Sequence, residues 1–111
     1  MATTANLYGS MTVLTVEPAL AGPEAAAFRR LASEQVGRGG RWFVVDLSRA
    51  ACCDSRGLEE LLAFQEQVEA AGGLVRVSGL KGTCSKIFEL TRFEKRFEVF
   101  EDLQEAVRSF N

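Results

Sequence analysis

Ser55 is the residue whose type and position best suit a chemical role. It follows Asp54 and precedes Arg56, at the start of a segment with helical periodicity. The first turn of a helix presents unpaired backbone N–H groups and the positive end of the helix dipole, and both favour an anion. A phosphate on the Ser55 hydroxyl would therefore be tolerated locally. The structural alternative is that Asp54 or Ser55 is only a helix N-cap, worth about 1 kcal/mol.

Enzymatic chemistry has little support in the composition. The chain contains no histidine, so neither a Ser-His-Asp nor a Cys-His unit can be built within it. An enzyme with Ser55 or Cys53 as its nucleophile would lack an activating group such as a nearby lysine. We therefore expect no catalytic activity, no metal and no cofactor.

The three cysteines are predicted to be packing residues. Cys52, Cys53 and Cys84 are too few and too unevenly spaced for a disulfide framework or a zinc site. We expect Cys52 and Cys53 to be small buried hydrophobic residues beneath the Ser55 loop. With no signal-peptide pattern at residues 1–10, the chain is expected to be soluble, reduced and cytoplasmic.

Length and charge exclude several classes of partner. The 111 residues suit one domain covering 1–111, and the formal charge of −2 creates no field that would attract nucleic acid or anionic lipid. No apolar run approaches the roughly 20 residues that span a bilayer, so no membrane insertion is expected. Residues 54–71 are acidic and residues 81–96 are basic, which indicates either solvated faces or a docking surface for an oppositely charged protein.

Strand and helix patterns alternate along the chain, which predicts an α/β fold around one sheet of four or five strands. The second helix has the clearest apolar face, which extends over half of its circumference. That face comprises Leu58, Leu61, Leu62, Phe64, Val68 and Ala71. The predicted strands are 11–16, 42–47, 74–78 and 97–100. The predicted helices are 25–36, a second helix that follows Asp54-Ser55 and ends at Gly72-Gly73, 83–90 with Thr83 as its cap, and 102–110.

The order of these motifs resembles a known family. A buried strand ending in Asp46-Leu47-Ser48 is followed by Asp54-Ser55-Arg56-Gly57-Leu58 and an amphipathic helix. Gly72-Gly73 and the strand after it continue the pattern, and so do the segments 87–93 and 97–100. Together these segments resemble the STAS domain of sulfate transporters and anti-sigma-factor antagonists, which implies a single STAS-like domain with a mixed sheet and interspersed helices.

The resemblance implies a protein-binding switch. In the small antagonists of this family, the serine matching Ser55 is phosphorylated by an anti-sigma-factor serine kinase, and a serine phosphatase reverses the reaction. A homodimer is also compatible with the family, and no direct contact with nucleic acid is implied. The residues around Ser55 that we predict to bind the partner are Asp54, Arg56, Gly57, Leu58 and Glu59.

The sequence departs from the family pattern at three places. Arg56 stands where the family often has a second serine, Ala21 stands where family members place an acidic residue, and Thr91-Arg92-Phe93 replaces a more usual Thr-Gly-Leu. Arg56 is either a solvated residue of the first helical turn or a clamp for a phosphate or a partner carboxylate. The alternative function is a STAS subunit of a transporter or sensory complex that binds proteins without being phosphorylated.

Overall fold

One mixed sheet with helices on both faces forms the domain. A computed structural model describes residues 3–110 of the chain. Its elements in chain order are β1 (Thr4–Tyr8), β2 (Met11–Thr15), α1 (Gly22–Gly37), β3 (Trp42–Asp46), α2 (Ser55–Ala70), β4 (Leu74–Ser78), α3 (Gly82–Thr91), a 3-10 turn (Phe93–Lys95), β5 (Glu98–Phe100) and α4 (Leu103–Arg108).

The strands lie in the sheet in the same order as in the chain. β1 and β2 form an antiparallel hairpin, and β2, β3, β4 and β5 run parallel to one another. Parallel neighbours need crossover connections, which α1, α2 and α3 supply in turn. β3 is the central strand and runs parallel to both of its neighbours. The loop before Ser55 therefore begins at the carboxyl end of the middle strand of the sheet.

The larger apolar core lies between the sheet and helices α1, α2 and α3. Phe64 of α2 is at its centre, with its ring centroid 5.7 Å from that of Phe28 in α1 and 5.1 Å from that of Phe43 in β3. Both pairs meet edge to face, a favourable geometry for aromatic rings. Burial of this face fixes α2, and with it the position of Ser55.

A smaller core on the opposite face holds α4. Ala106 packs there with Val13 of β2 and Val44 of β3. Nearby, the guanidinium carbon of Arg76 lies 4.2 Å from the centroid of the Phe110 ring. The strand predicted at 42–47 is therefore covered by apolar residues on both faces.

The helices are of modest length. The longest, α1 and α2, have 16 residues each. Among residues 3–110, no helix combines the length and the apolar character needed to cross a membrane.

The fold differs from the sequence-based expectation in one strand, one helix cap and one leucine. β1 was not predicted: it is a five-residue edge strand in which every residue but Ala5 is exposed, so it lacks the apolar signal of a buried strand. Thr83 is not the cap of α3: the helix begins at Gly82, and Lys81 occupies the cap position without a side-chain hydrogen bond. Leu62, which we expected on the apolar face of α2, is only half-buried, whereas Leu61 is fully buried.

Candidate functional site

Ser55 is the first residue of α2, and its side chain is exposed. Asp54 caps the helix: one carboxylate oxygen, Oδ1, accepts a hydrogen bond from the Gly57 N–H at 2.8 Å, and its backbone carbonyl accepts one from Leu58 at 3.0 Å. Within residues 3–110, the N–H groups of Ser55 and Arg56 have no acceptor. The hydroxyl of Ser55 thus stands beside two free donors at the positive end of a 16-residue helix.

Asp54 also reaches a second helix. Its other carboxylate oxygen, Oδ2, accepts a hydrogen bond from the N–H of Gly22, the first residue of α1, at 3.2 Å. Ala21, at the cap position of α1, has no polar side chain to cap that helix. One carboxylate therefore caps both α1 and α2 and joins their N-termini.

The loop before Ser55 is joined along its length to the segment between β2 and α1. Leu20 donates its N–H to the Cys52 carbonyl at 3.0 Å and accepts from the Asp54 N–H at 3.3 Å, and it forms a parallel bridge with Cys53. Ala51 donates to the Pro18 carbonyl at 2.8 Å. The backbone around Ser55 is thus held on one side by a second chain segment.

Gly57 is the closest point of this contact. A Cβ at this position would overlap the carbonyl oxygen of Leu20, so the approach of the two segments requires glycine. Gly57 and Leu58 are both buried inside the domain. The side of α2 on which Gly57 and Leu58 lie faces the core. That these two residues contact a partner stays a prediction. Asp54, Arg56 and Glu59 are exposed.

A buried carboxylate supports the other side of the loop. Asp46, at the end of β3, accepts hydrogen bonds from the Ser48 N–H at 3.3 Å, the Ser48 hydroxyl at 3.1 Å and the Ser78 hydroxyl at 3.2 Å. It is 7% exposed. We did not predict this role from the sequence; the available signal was an acidic residue ending an otherwise apolar, buried strand. The three bonds fix the point where the chain leaves the sheet for Ser55.

The cysteines divide into two kinds. Cys53 and Cys84 are buried, as expected of packing residues, and the Cys84 thiol donates to the Ala50 carbonyl at 3.6 Å. Burial, with the neighbouring Cys84 thiol as a further contribution, raises the pKa of Cys53 to about 12. Burial also raises the pKa of Cys84. Cys52 is exposed, so the prediction that it is buried was wrong. Cys53 pairs with Leu20 in an extended segment, where neighbouring side chains point to opposite sides. The Cys53 side chain is buried, and that of Cys52 therefore points to solvent.

The charged residues near Ser55 and in the basic segment 81–96 differ in their ion pairing and exposure. Arg56 forms no ion pair within residues 3–110. Glu60 of α2 pairs with Arg29 of α1 at 3.2 Å, which ties one acidic residue into the α1–α2 contact. The basic residues of the 81–96 segment are all exposed: Lys81, Lys86, Arg92, Lys95 and Arg96. Across the described residues, no group of three or more acidic or cysteine side chains is placed to hold a metal ion.

Several solved structures share the fold. The protein TM1081 of Thermotoga maritima aligns with a TM-score of 0.90 at 15% identity, over 96% of this chain and 92% of that one. The anti-sigma factor antagonist SpoIIAA of Bacillus, in its phosphorylated form, aligns with a TM-score of 0.77 at 17% identity, over 99% and 100%. A sulfate transporter family protein of Wolinella succinogenes aligns with a TM-score of 0.71 at 16% identity, over 94% and 87%.

Sequence comparison identifies the family. Among curated proteins, none matches this sequence. The family model of the STAS domain matches residues 2–106, which include every element from β1 to the middle of α4. The solved structures agree with that match in fold, as the motifs around Ser55 predict. The chain belongs to the STAS domain family.

Proposed function

We propose that this protein is an anti-sigma-factor antagonist, a protein-binding switch controlled by phosphorylation of Ser55. Its partners are an anti-sigma-factor serine kinase, which it binds, and a serine phosphatase, which resets it. The observation that carries the proposal is the exposed Ser55 hydroxyl at the start of α2, beside the free N–H groups of Ser55 and Arg56. The similarity in fold to SpoIIAA, whose structure is known in phosphorylated form, supports it.

The chemistry is a phosphoryl transfer in which this chain is the substrate. The Ser55 oxygen attacks the γ-phosphorus of ATP, the bond to the bridging oxygen breaks, ADP leaves, and the hydroxyl proton passes to a base of the kinase. ATP and its Mg²⁺ belong to the kinase, so this chain needs no cofactor and acts without catalytic activity of its own. The phosphatase regenerates the Ser55 hydroxyl: water attacks the phosphorus, the bond to the serine oxygen breaks, and inorganic phosphate is released.

Phosphorylation acts on binding and leaves the fold intact. The phosphate brings a charge of about −1.5 to −2 to a helix start that favours anions. The guanidinium of Arg56, exposed in the same turn, is available to a phosphate oxygen or to a carboxylate of the partner. Around Ser55, the exposed Asp54, Arg56 and Glu59 form the contact surface, and a new dianion within it repels a partner fitted to the neutral hydroxyl.

The test is intact mass spectrometry after incubation with ATP and the cognate kinase. We expect one phosphoryl group on the wild-type chain and none on Ser55→Ala. Ser85→Ala is the matched control, because Ser85 is also exposed near the start of a helix, α3. Phosphorylation of Ser55→Ala to the wild-type level would overturn the proposal.

The second candidate function is a STAS subunit of a transporter or sensory complex. The observation that favours it is the similarity in fold to the sulfate transporter family protein of Wolinella succinogenes. This candidate uses the same surface of α2 but requires no phosphate on Ser55. Co-purification of the chain with a membrane transporter, together with equal partner binding by Ser55→Ala and Ser55→Asp, would favour it.

The proposed function also implies a domain extent and a place in the cell. We propose that residues 1–111 act as one STAS domain in the cytoplasm, where ATP and the kinase are available. The protein contributes to transcription regulation by signal transduction through protein contacts, without touching DNA. Fractionation of the producing cells, with the chain found alongside the kinase, is the check on this setting.

A further inference from the structure

The outer edge of β1 is an open strand edge without the usual protection. β1 lies at one end of the sheet and pairs only with β2. Its five residues, Thr-Ala-Asn-Leu-Tyr, include no charge and no proline, the two features that commonly keep sheet edges apart. Leu7 is 71% exposed and Tyr8 is 49% exposed, so this edge also presents apolar surface.

The opposite edge of the sheet is protected. β5 has only three residues, Glu98–Phe100. Glu98 is exposed and pairs with Arg76 of β4 at 3.3 Å, which places charges along that edge. Short length and charge both discourage a further strand. Of the two edges, β1 is therefore the one open to strand addition.

The hairpin geometry determines which backbone groups of β1 are free. Tyr8 and Met11 face each other across the two-residue turn Gly9-Ser10, and such residues form a hydrogen-bonded pair. Hydrogen-bonding direction alternates along an antiparallel strand, so Thr4 and Asn6 also direct their groups to β2. Ala5 and Leu7 direct theirs outward. The free edge thus offers two residues with both a donor and an acceptor.

We propose that this edge pairs with the same edge of a second copy of the chain, antiparallel and about a two-fold axis at Asn6. In this register Ala5 of each copy bonds to Leu7 of the other, so every outward N–H and C=O of both residues is satisfied. The two sheets join into one of ten strands. A two-fold pairing on Asn6 is also the register that overlaps all five residues of β1.

The side chains fit the same register. Ala5 and Leu7 are two residues apart and therefore lie on one face of the sheet, the face covered by α1. They line a cleft of about 330 Å³, whose other lining residues include Thr12, Gln35, Arg38 and Gly40. Opposite Ala5, the partner's Leu7 would enter this cleft, so a large exposed side chain meets a small one on each side of the axis. No like charges on β1 oppose each other.

The interface is separate from Ser55 and does not rest on the proposed function. A pair of five-residue strands buries less than the roughly 800 Å² per partner of a standard interface. We therefore expect a weak, reversible dimer that forms as the protein concentration rises.

Sedimentation velocity over a concentration series tests the association. The wild-type chain is expected to shift from monomer to dimer, and Leu7→Lys to weaken the dimer at least about tenfold, because it sets two like charges beside each other on the edge. Leu90→Lys is the matched control: Leu90 is 74% exposed on α3, and the same change there leaves the dimer intact. A wild-type chain that stays monomeric at all concentrations overturns the proposal, as does a dimer that Leu7→Lys leaves unchanged.

Cross-linking tests the register. In a Cys52→Ser background, which removes the exposed thiol, Asn6→Cys places two cysteines across the axis at a Cα separation of about 4.5 Å, within disulfide range. Oxidised glutathione then yields a covalent dimer. Thr4→Cys is the control, because Thr4 lies opposite the partner's Tyr8 and roughly 14 Å from its own counterpart. Equal cross-linking of the two variants would overturn the two-fold pairing on Asn6.

Discussion

Asp54 and Gly22 lie 32 positions apart in the sequence, yet the Asp54 carboxylate accepts a hydrogen bond from the Gly22 N–H at 3.2 Å. The same carboxylate accepts from Gly57 at 2.8 Å. Two helix dipoles therefore converge on one negative charge, immediately before Ser55. This arrangement explains how α1 dispenses with a cap of its own, and it makes the position of Ser55 depend on two helices.

Asp54→Ala should cost about 2 kcal/mol of the free energy of unfolding, because it removes the caps of two helices at about 1 kcal/mol each. Asp102→Ala is the matched control: Asp102 caps only α4, through a bond to the Glu105 N–H at 2.9 Å, and should cost about 1 kcal/mol. Urea unfolding of the two variants measures the difference. Equal losses would show that the bond to Gly22 contributes nothing to stability.

Gly57→Ala should destabilise the domain by about 3 kcal/mol or more, because the added methyl group overlaps the backbone of Leu20 and the two segments must separate. Gly37→Ala, at the end of α1, makes the same chemical change where the methyl group meets nothing within 4 Å. That control should be neutral or stabilise slightly. Thermal unfolding followed by circular dichroism compares them, and similar melting temperatures would contradict the close contact.

The three thiols should differ sharply in reactivity. Iodoacetamide at neutral pH should modify Cys52, which is exposed, and leave Cys53 and Cys84 unmodified in the folded protein. Burial and the raised pKa of Cys53 both keep its thiol protonated and out of reach. Mass spectrometry of the native and the urea-unfolded chain counts the modified residues, and rapid labelling of Cys53 in the native chain would contradict its burial.

Cys53 should also make stability fall in alkaline solution. Its pKa is about 12 in the folded chain against an ordinary value of 9.0, so above about pH 9 the unfolded chain loses a proton that the folded chain retains. The stabilising contribution is present below pH 9 and declines by up to about 1.4 kcal/mol per pH unit towards pH 12. The free-energy difference between wild type and Cys53→Ala should therefore shrink as the pH rises. A free-energy difference that stays constant over this pH range would contradict the raised pKa of Cys53.

Sequence patterns predicted the parts of the structure that local physics determines. The central strand contains the continuous apolar run 42–45, and α2 has a regular apolar face, so both were evident from the sequence pattern. β1 was not evident, because its burial pattern depends on where the sheet ends. Exposure of Cys52 was missed for a similar reason: the loop's direction is set by Leu20, a residue distant in sequence.

The candidate site was likewise predictable where it depends on local sequence and unpredictable where it depends on distant segments. Ser55 and Asp54 at a helix start could be recognised from their types and spacing. The second bond of Asp54, to Gly22, and the buried network of Asp46 could not, because each joins segments that only the folded sheet brings together. Tertiary hydrogen bonds of this kind leave no periodic signal in the chain.

Ser55→Asp should fold as the wild type does and bind the kinase partner much more weakly. The cap of α2 is the Asp54 side chain, so neither Ser55→Ala nor Ser55→Asp removes a cap, and each should change the free energy of unfolding by less than about 0.5 kcal/mol. The added carboxylate lies at the positive end of the helix, which tolerates it, and within the contact surface, where it opposes the partner.

Binding titrations of the kinase with wild type, Ser55→Ala and Ser55→Asp measure the effect, with circular dichroism confirming that all three are folded. Ser55→Ala should bind as the wild type does, because it keeps the surface neutral and loses only a hydroxyl that forms no hydrogen bond within residues 3–110. Ser85→Asp adds the same charge near the start of α3 and should leave affinity unchanged. Equal affinities for wild type and Ser55→Asp would mean that Ser55 is only a surface residue of the helix. They would favour the second candidate function, a STAS subunit of a transporter or sensory complex.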